Sequence, residues 1–207
     1  MPEAMTSSAD AAEMKRHLLR ETATPVNSAT EVSAGQLLVW ALVATVAMLF
    51  AGFASAYLVR REGLDWVRVQ LPSILRVNTV VLLASSAAME LARRAHRRGN
   101  VGAVKHWVQV SVALGGAFLL GQATAWRQLA AQGIYLPTNP YSSFFYMLTA
   151  MHAAHLLGGM LALSYLLWRV SRANGRAIKA PPLDGCATFW HFLDGIWICL
   201  YLLLLFY

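Results

Sequence analysis

The sequence predicts an all-α, polytopic membrane protein with five transmembrane helices. Three observations carry this. Of 207 residues, 57% are hydrophobic and only 13% are charged, about half the charged share of roughly a quarter usual in soluble domains. Long uncharged runs recur at lengths that suit a bilayer, which needs about 20 apolar residues per helix. Lys and Arg bunch in two of the loops between those runs. The same composition excludes a disordered chain, which pairs low hydrophobicity with high charge. Two cysteines, Cys186 and Cys199, are too few for a disulfide scaffold or a cysteine-only zinc site.

The spans follow in order. Leu37 to Val59 holds 23 residues without a charge and predicts a helix over about 36–59. Val77 to Met89 is uncharged for only 13 residues. Extension to about 73–92 admits Arg76 and Glu90 near the two ends, where charged side chains snorkel to the interface. His106 to Trp126 carries no formal charge over 21 residues, giving a span of about 105–127. Gln128 to Trp168 is too long for one crossing. Pro137-Thr138-Asn139-Pro140 breaks it with a turn, leaving about 142–169. The last span, about 185–207, contains one acid, Asp194. Residues 1–33 are polar, rich in Ala, Ser and Thr and without an apolar run. They are expected to form a cytoplasmic tail, not a cleavable signal peptide, ahead of a membrane domain over 34–207.

Basic residues in short loops set the orientation. Arg93, Arg94, Arg97, Arg98 and Lys105 follow the second span, and Arg169, Arg172, Arg176 and Lys179 follow the fourth. With Lys15, Arg16 and Arg20 of the tail, 12 of the 17 basic residues fall on one side. The N-terminus is therefore expected in the cytoplasm and the C-terminus in the periplasm. Anionic lipid headgroups are sufficient partners for the net charge of +7, and no nucleic acid is required. Arg60 and Arg61, at the outer end of the first span, are candidates to meet lipid phosphates or to act as interfacial anchors.

Ionisable groups inside spans are costly and are functional candidates by default. Here they are His152, His155, His191 and Asp194, with Glu90 and His106 near helix ends. His152 and His155 sit at i and i+3 on one helix face. They read either as a metal or haem site or as neutral, hydrogen-bonded histidines. The scarcity of other strong ligands favours the second reading. A haem between His155 and His191 would need equal depths, which the spans do not give. Asp194 is near His155 in depth, so a pair between Asp194 and His155 or His152 across the helix interface is expected. The alternative is a protonated Asp194 bonded to a backbone carbonyl. Trp190, Asp194, Trp197 and Tyr201 recur along one face of the last helix, as a packing stripe or a lipid-groove lining. Rows of small residues predict helix contacts: Ala150, Ala154, Gly158 and Ala162 in the fourth span, Ala47, Ala51 and Ser55 in the first, and Gly115, Gly116 and Gly121 in the third.

The last two spans resemble a known family. The run Phe144-Phe145-Tyr146 through Met151-His152-Ala153-Ala154-His155 to Gly158-Gly159 is similar to the Phe-Phe…His-x-x-His…Gly helix of subunit III of the haem–copper oxidases, the cytochrome c oxidase type. Trp190-His191-Phe192-Leu193-Asp194-Gly195-Ile196-Trp197 resembles that family's terminal Trp-His-x-x-Asp-x-x-Trp signature. Weaker echoes are Phe50 with Tyr57, Asn78-Thr79 with Ser85-Ser86, and Gln122 before Trp126. Val46 and Ala125 stand where the family often has intramembrane glutamates, so roles that depend on those acids do not carry over.

The resemblance implies the five-helix bacterial form, with helices in a two-plus-three arrangement around a V-shaped lipid cleft. It implies a non-catalytic subunit of a respiratory terminal oxidase in the bacterial inner membrane. Such a chain holds no haem, copper or other metal itself, those cofactors being expected in the partner subunits. It would bind phospholipid and contact subunits I and II, with a small subunit IV or other respiratory complexes as further neighbours. It would support proton uptake and oxygen access. His152, His155, Trp190, His191, Asp194 and Trp197 are the expected cleft-lining, lipid-contacting or packing positions. Two rival readings remain: a partner of a quinol oxidase or nitric oxide reductase, and, from another class, a membrane b-type cytochrome or small transporter.

Overall fold

The computed structural model describes residues 14–15, 34–172 and 183–206. Most of the expected tail 1–33, and the basic residues Arg176 and Lys179, lie outside the described residues. The chain divides into Met1–Ala34 and Gly35–Tyr207, and the second part is the helical body. Its helices are α1 (Ala34–Arg60), α2 (Ile74–Arg97), α3 (Val101–Ala131), α4 (Pro140–Arg172) and α5 (Leu183–Phe206). All five are long and apolar enough to cross a membrane.

Local chemistry sets the helix ends more than charge does. A three-residue turn joins α2 to α3. Its Gly99 takes φ +70°, a left-handed conformation that glycine adopts without a Cβ clash. Asn100 then caps α3, its side chain accepting from the Ala103 N–H at 3.0 Å. These caps carry both helices past the expected charge-free limits. Pro140 opens α4, where its missing N–H is no loss. Asn139 Oδ1 accepts from the Ser142 N–H at 2.8 Å, and Ser142 Oγ accepts from the Asn139 N–H at 3.1 Å. This reciprocal cap replaces the expected break with a defined start.

The packing departs from the arrangement the resemblance implies. Helix α2 runs along α3 and also packs on α5, while α4 packs on both α3 and α5. These four helices close on one another. No Cα of α1 comes within 8 Å of a Cα on another described helix, so α1 and α2 do not form a two-helix arm. The reason lies in the side chains. The faces of α2 and α3 that meet are small and polar, allowing close approach. Helix α1 instead reaches inward with long groups, Val46, Phe50 and Tyr57, which are its buried residues. The opening lies between α1 and the α4–α5 pair. It is a groove of about 380 Å³ lined by Leu42, Ala154, His155, Gly158 and Phe189, among others.

The small-residue rows divide accordingly. A Cβ on Gly115 would lie 2.9 Å from Trp190 Cη2, and one on Gly121 would collide with Asn78, so α3 uses its glycines for contact. Ala150, Ala154, Gly158 and Ala162 are all exposed, and a Cβ on Gly158 would meet nothing within 4 Å. The α4 row therefore borders open space in place of the expected helix contact. Ala51 and Ser55 on α1 are exposed as well.

Candidate functional site

The polar residues of the bundle concentrate where α2, α3 and α5 meet. Ser85 Oγ donates to the Ser111 carbonyl at 3.1 Å, and Ser111 Oγ donates to the carbonyls of Trp107 (3.1 Å) and Ser85 (3.3 Å). Trp190 Nε1 donates to Ser85 Oγ at 3.1 Å. Two turns further on, Trp197 Nε1 donates to Thr79 Oγ1 at 3.1 Å, and Asn78 Nδ2 donates to the Phe118 carbonyl at 3.3 Å. Trp190 and Trp197 are 0% and 1% exposed. Their shared helix face thus points into the bundle, with both indole N–H groups satisfied, as buried Trp requires.

His152 sits beside this seam in an aromatic enclosure. Its ring centroid is 5.1 Å from Trp197, 5.8 Å from Phe118 and 6.5 Å from Phe50. It is fully buried, and neither ring nitrogen has a hydrogen-bond partner. Gln122 on α3 and Asp194 on α5 share this condition, both side chains being buried with no bonded polar atom. Buried polar groups are normally bonded, and the Tyr57 hydroxyl and Trp66 Nε1 at the outer end share the exception.

The expected Asp194–histidine pair is not formed. His155 Nδ1 donates to its own helix's Met151 carbonyl at 2.7 Å, and its ring lies 5.7 Å from Phe50 beside the α1–α4 groove. That local bond turns the imidazole away from α5. Asp194 instead faces α2, where the Ser86 hydroxyl is the polar group acting on it. His191 meets the same residue, with Nδ1 2.5 Å from Ser86 Oγ. The alternative of an Asp194–carbonyl bond is not observed either, since both carboxyl oxygens are unbonded. Ser86 and Gln122 are the participants that sequence reasoning did not promote to candidates. The available signal was a hydroxyl pair within the apolar Val77–Met89 run and, with Gln109, one of two amides in the third span.

At the basic end of the bundle, Glu90 accepts from Arg93 and Arg94, each at 3.3 Å, and Arg93 also donates to Asp184 at 3.1 Å. This ties the end of α2 to the start of α5. At the opposite end, Arg60 forms a two-pronged pair with Asp65 at 2.7 and 2.5 Å. The Arg60 hydrogen bond holds the Asp65 carboxyl below the usual carboxylate range. Arg61 Nε lies 3.0 Å from Glu62 Oε1. Both arginines thus have acidic partners in their own loop. Arg68 donates to the Phe206 carbonyl at 3.0 Å, and Tyr141 donates to that of Leu204 at 2.9 Å. Trp66 packs between Tyr57 and Tyr141, at 5.0 and 5.6 Å.

Among the described residues, no three or more His, Cys, Asp or Glu side chains group so as to hold a metal ion. The two α4 histidines part company, one entering the aromatic enclosure and the other the groove. Chemically, the region offers helix-to-helix hydrogen bonds, unbonded buried polar groups and an apolar groove.

Residues 37–207 match the family described as Cytochrome c oxidase subunit III. The chain belongs to that family. Among curated relatives, a "Probable cytochrome c oxidase subunit 3" of Mycobacterium bovis is 31% identical over 87% of this chain and 90% of its own length. A "Cytochrome c oxidase subunit 3" of Corynebacterium diphtheriae is 31% identical over 77% of this chain and 81% of the relative. One from Synechocystis is 32% identical over 75% of this chain and 68% of the relative. The matched stretch takes in all five helices except the first turn of α1. Val46 and Ala125, the positions that lack the family's frequent acids, are 3% and 0% exposed, so their apolar side chains are part of the core.

Proposed function

We propose that this chain serves a membrane-bound terminal oxidase, which reduces oxygen to water, as a subunit that performs none of the redox chemistry itself. It packs against a catalytic subunit I and the electron-accepting subunit II in the bacterial inner membrane, with its basic end in the cytoplasm. The observation that carries this reading is the family match over the whole helical body. The use made of the polar residues supports it. Both signature tryptophans spend their N–H groups on α2 hydroxyls, and His155 spends Nδ1 on its own backbone. These are the bonds of a scaffold. The α1–α4 groove, apolar and floored with small residues, suits lipid acyl chains. The Arg60–Asp65 pair at the opposite end suits a zwitterionic headgroup, whose phosphate and ammonium match the two charges.

Affinity purification of the tagged chain from its native membrane tests the reading. The expected result is copurification of two larger oxidase subunits, with haem absorption that stays with those subunits when this chain is dissociated. A Soret band that follows the isolated chain would overturn the non-redox assignment. Absence of oxidase subunits from the gently solubilised preparation would overturn the partnership.

A further inference from the structure

The α2–α5 interface holds titratable and hydroxyl side chains that packing alone does not explain. The two helices run antiparallel, because Thr79 meets Trp197, Ser86 meets His191 and Arg93 meets Asp184. Counted from Arg97 at 1.5 Å per residue, Glu90 lies about 10 Å and Ser86 about 16 Å along α2. Counted from Leu183, His191 lies about 12 Å and Asp194 about 16 Å along α5. Their 2.5 Å contact sets Ser86 level with His191, so the four run inward from the basic end as Glu90, then His191 with Ser86, then Asp194, three residues or about 4.5 Å further along α5. His191 is half-buried with Nδ1 2.5 Å from Ser86 Oγ, and Asp194 at the inner end is 3% exposed with both oxygens unbonded.

An acid used only for packing would be bonded, and a leucine would fill the space without a desolvation cost. An unpaired carboxylate in that position is expensive, and a bound proton would remove the cost. We propose that Asp194 is an internal proton-binding site, loaded from the basic end of the bundle through His191 and Ser86. Rotation about the Ser86 Cα–Cβ bond turns the hydroxyl proton toward Asp194. As a proton is taken up on His191 Nε2, the Nδ1 proton passes to Ser86 Oγ in concert with transfer of the hydroxyl's own proton to the Asp194 carboxylate. One proton enters, one is bound, and the carboxylate becomes the acid. The imidazole is left with its proton on Nε2, and tautomer exchange resets it.

The surrounding charges suit this direction. On the entry side, α2 presents Glu90 between Arg93 and Arg94, and α5 presents Asp184 to Arg93. On the inner side, His152 from α4 lies against Trp197, one turn beyond Asp194 on α5, with both ring nitrogens unbonded.

The proposal concerns this chain alone and holds whichever oxidase the chain serves. Its test is infrared spectroscopy of the full chain purified with its native partners. Asp194→Asn is expected to remove a protonated-carboxyl C=O band from the wild-type spectrum. That band shifts on transfer to deuterated buffer. Ser86→Ala is expected to slow the shift by about tenfold or more, while Ser86→Thr restores the rate. His191→Gln, which keeps a polar group of similar reach, slows it as well and serves if Ser86→Ala does not assemble. The proposal fails if wild type shows no Asp194 acid band at any pH the complex tolerates. It also fails if the band exchanges at the wild-type rate in the hydroxyl and imidazole variants.

Discussion

The seam of α2, α3 and α5 and the groove beside α1 are both lined with small residues, yet they end in opposite states. In the seam, Gly115 and Gly121 let Trp190 and Asn78 press against the α3 backbone, and Trp190, Trp197, Asn78 and the Ser85–Ser111 pair find partners on facing helices. Beside α1, the α4 alanines and Gly158 face open space, and Phe50 and Tyr57 bridge the gap with aromatic reach alone. Small residues permit close approach without compelling it. Directional hydrogen bonds decide where the approach is used: Ser85–Ser111 and the two indoles lock the seam.

Trp190→Ala should have the largest effect. It removes a fully buried indole and the Ser85 bond, with an expected loss of about 3–5 kcal/mol, visible as a lowered thermal midpoint and poor recovery of the complex. An effect below about 1 kcal/mol would mean that the seam is not what closes the bundle. Matched glycine substitutions sharpen the contrast. Gly121→Ala pushes a methyl group into the buried Asn78 amide, which is held by the Phe118 carbonyl, and should cost about 1–3 kcal/mol. Gly158→Ala, in the groove, should stay within about 0.5 kcal/mol. Equal melting temperatures for these two variants would erase the distinction between the regions. Thr79→Val takes away the acceptor for Trp197 and should cost about 1 kcal/mol.

The smallest effect is expected at the outer loop. The Arg60–Asp65 pair is solvent-exposed, so Asp65→Asn should leave the thermal midpoint unchanged in moderate salt. The sign of its pH dependence follows from the depressed Asp65 carboxyl. The pair contributes above the usual carboxylate range and loses its contribution as the pH falls through the lowered folded-state value. A midpoint that drops with Asp65→Asn at neutral pH would show that the pair does more than hold its own loop.

The five helices could be read from the chain because hydrocarbon thickness enforces length and charge exclusion over each run. Their ends could not, since Gly99 and the Asn100 and Asn139 caps carry the helices past the last apolar residue. The seam was half legible. Trp190 and Trp197 on one helix face marked a packing stripe, but nothing in linear order says that Ser85 and Thr79 receive their N–H groups. The Asp194–histidine pair failed for a rotational reason. Depth along the membrane can be counted from residue number, whereas the azimuth of His155 is set by its bond to Met151, and that of Asp194 by how α5 docks on α2. The two-helix arm failed because the fit between the small faces of α2 and α3 is a property of paired surfaces, which no single span reveals.

The bond from Arg68 to the Phe206 carbonyl joins positions 138 residues apart, and Trp190 meets Ser85 across 105. Seen as an order of events, the α2–α3 hairpin can close as soon as both helices are inserted, with Ser85 and Ser111 already bonded and an indole-sized slot waiting beside Gly115. That slot is filled only when the last helix leaves the ribosome, and the loop before α2 gains its Arg68 bond only when the final turn of α5 is in place. A product truncated before α5 would lack both the Trp190 indole that Ser85 meets and the Phe206 carbonyl that Arg68 meets.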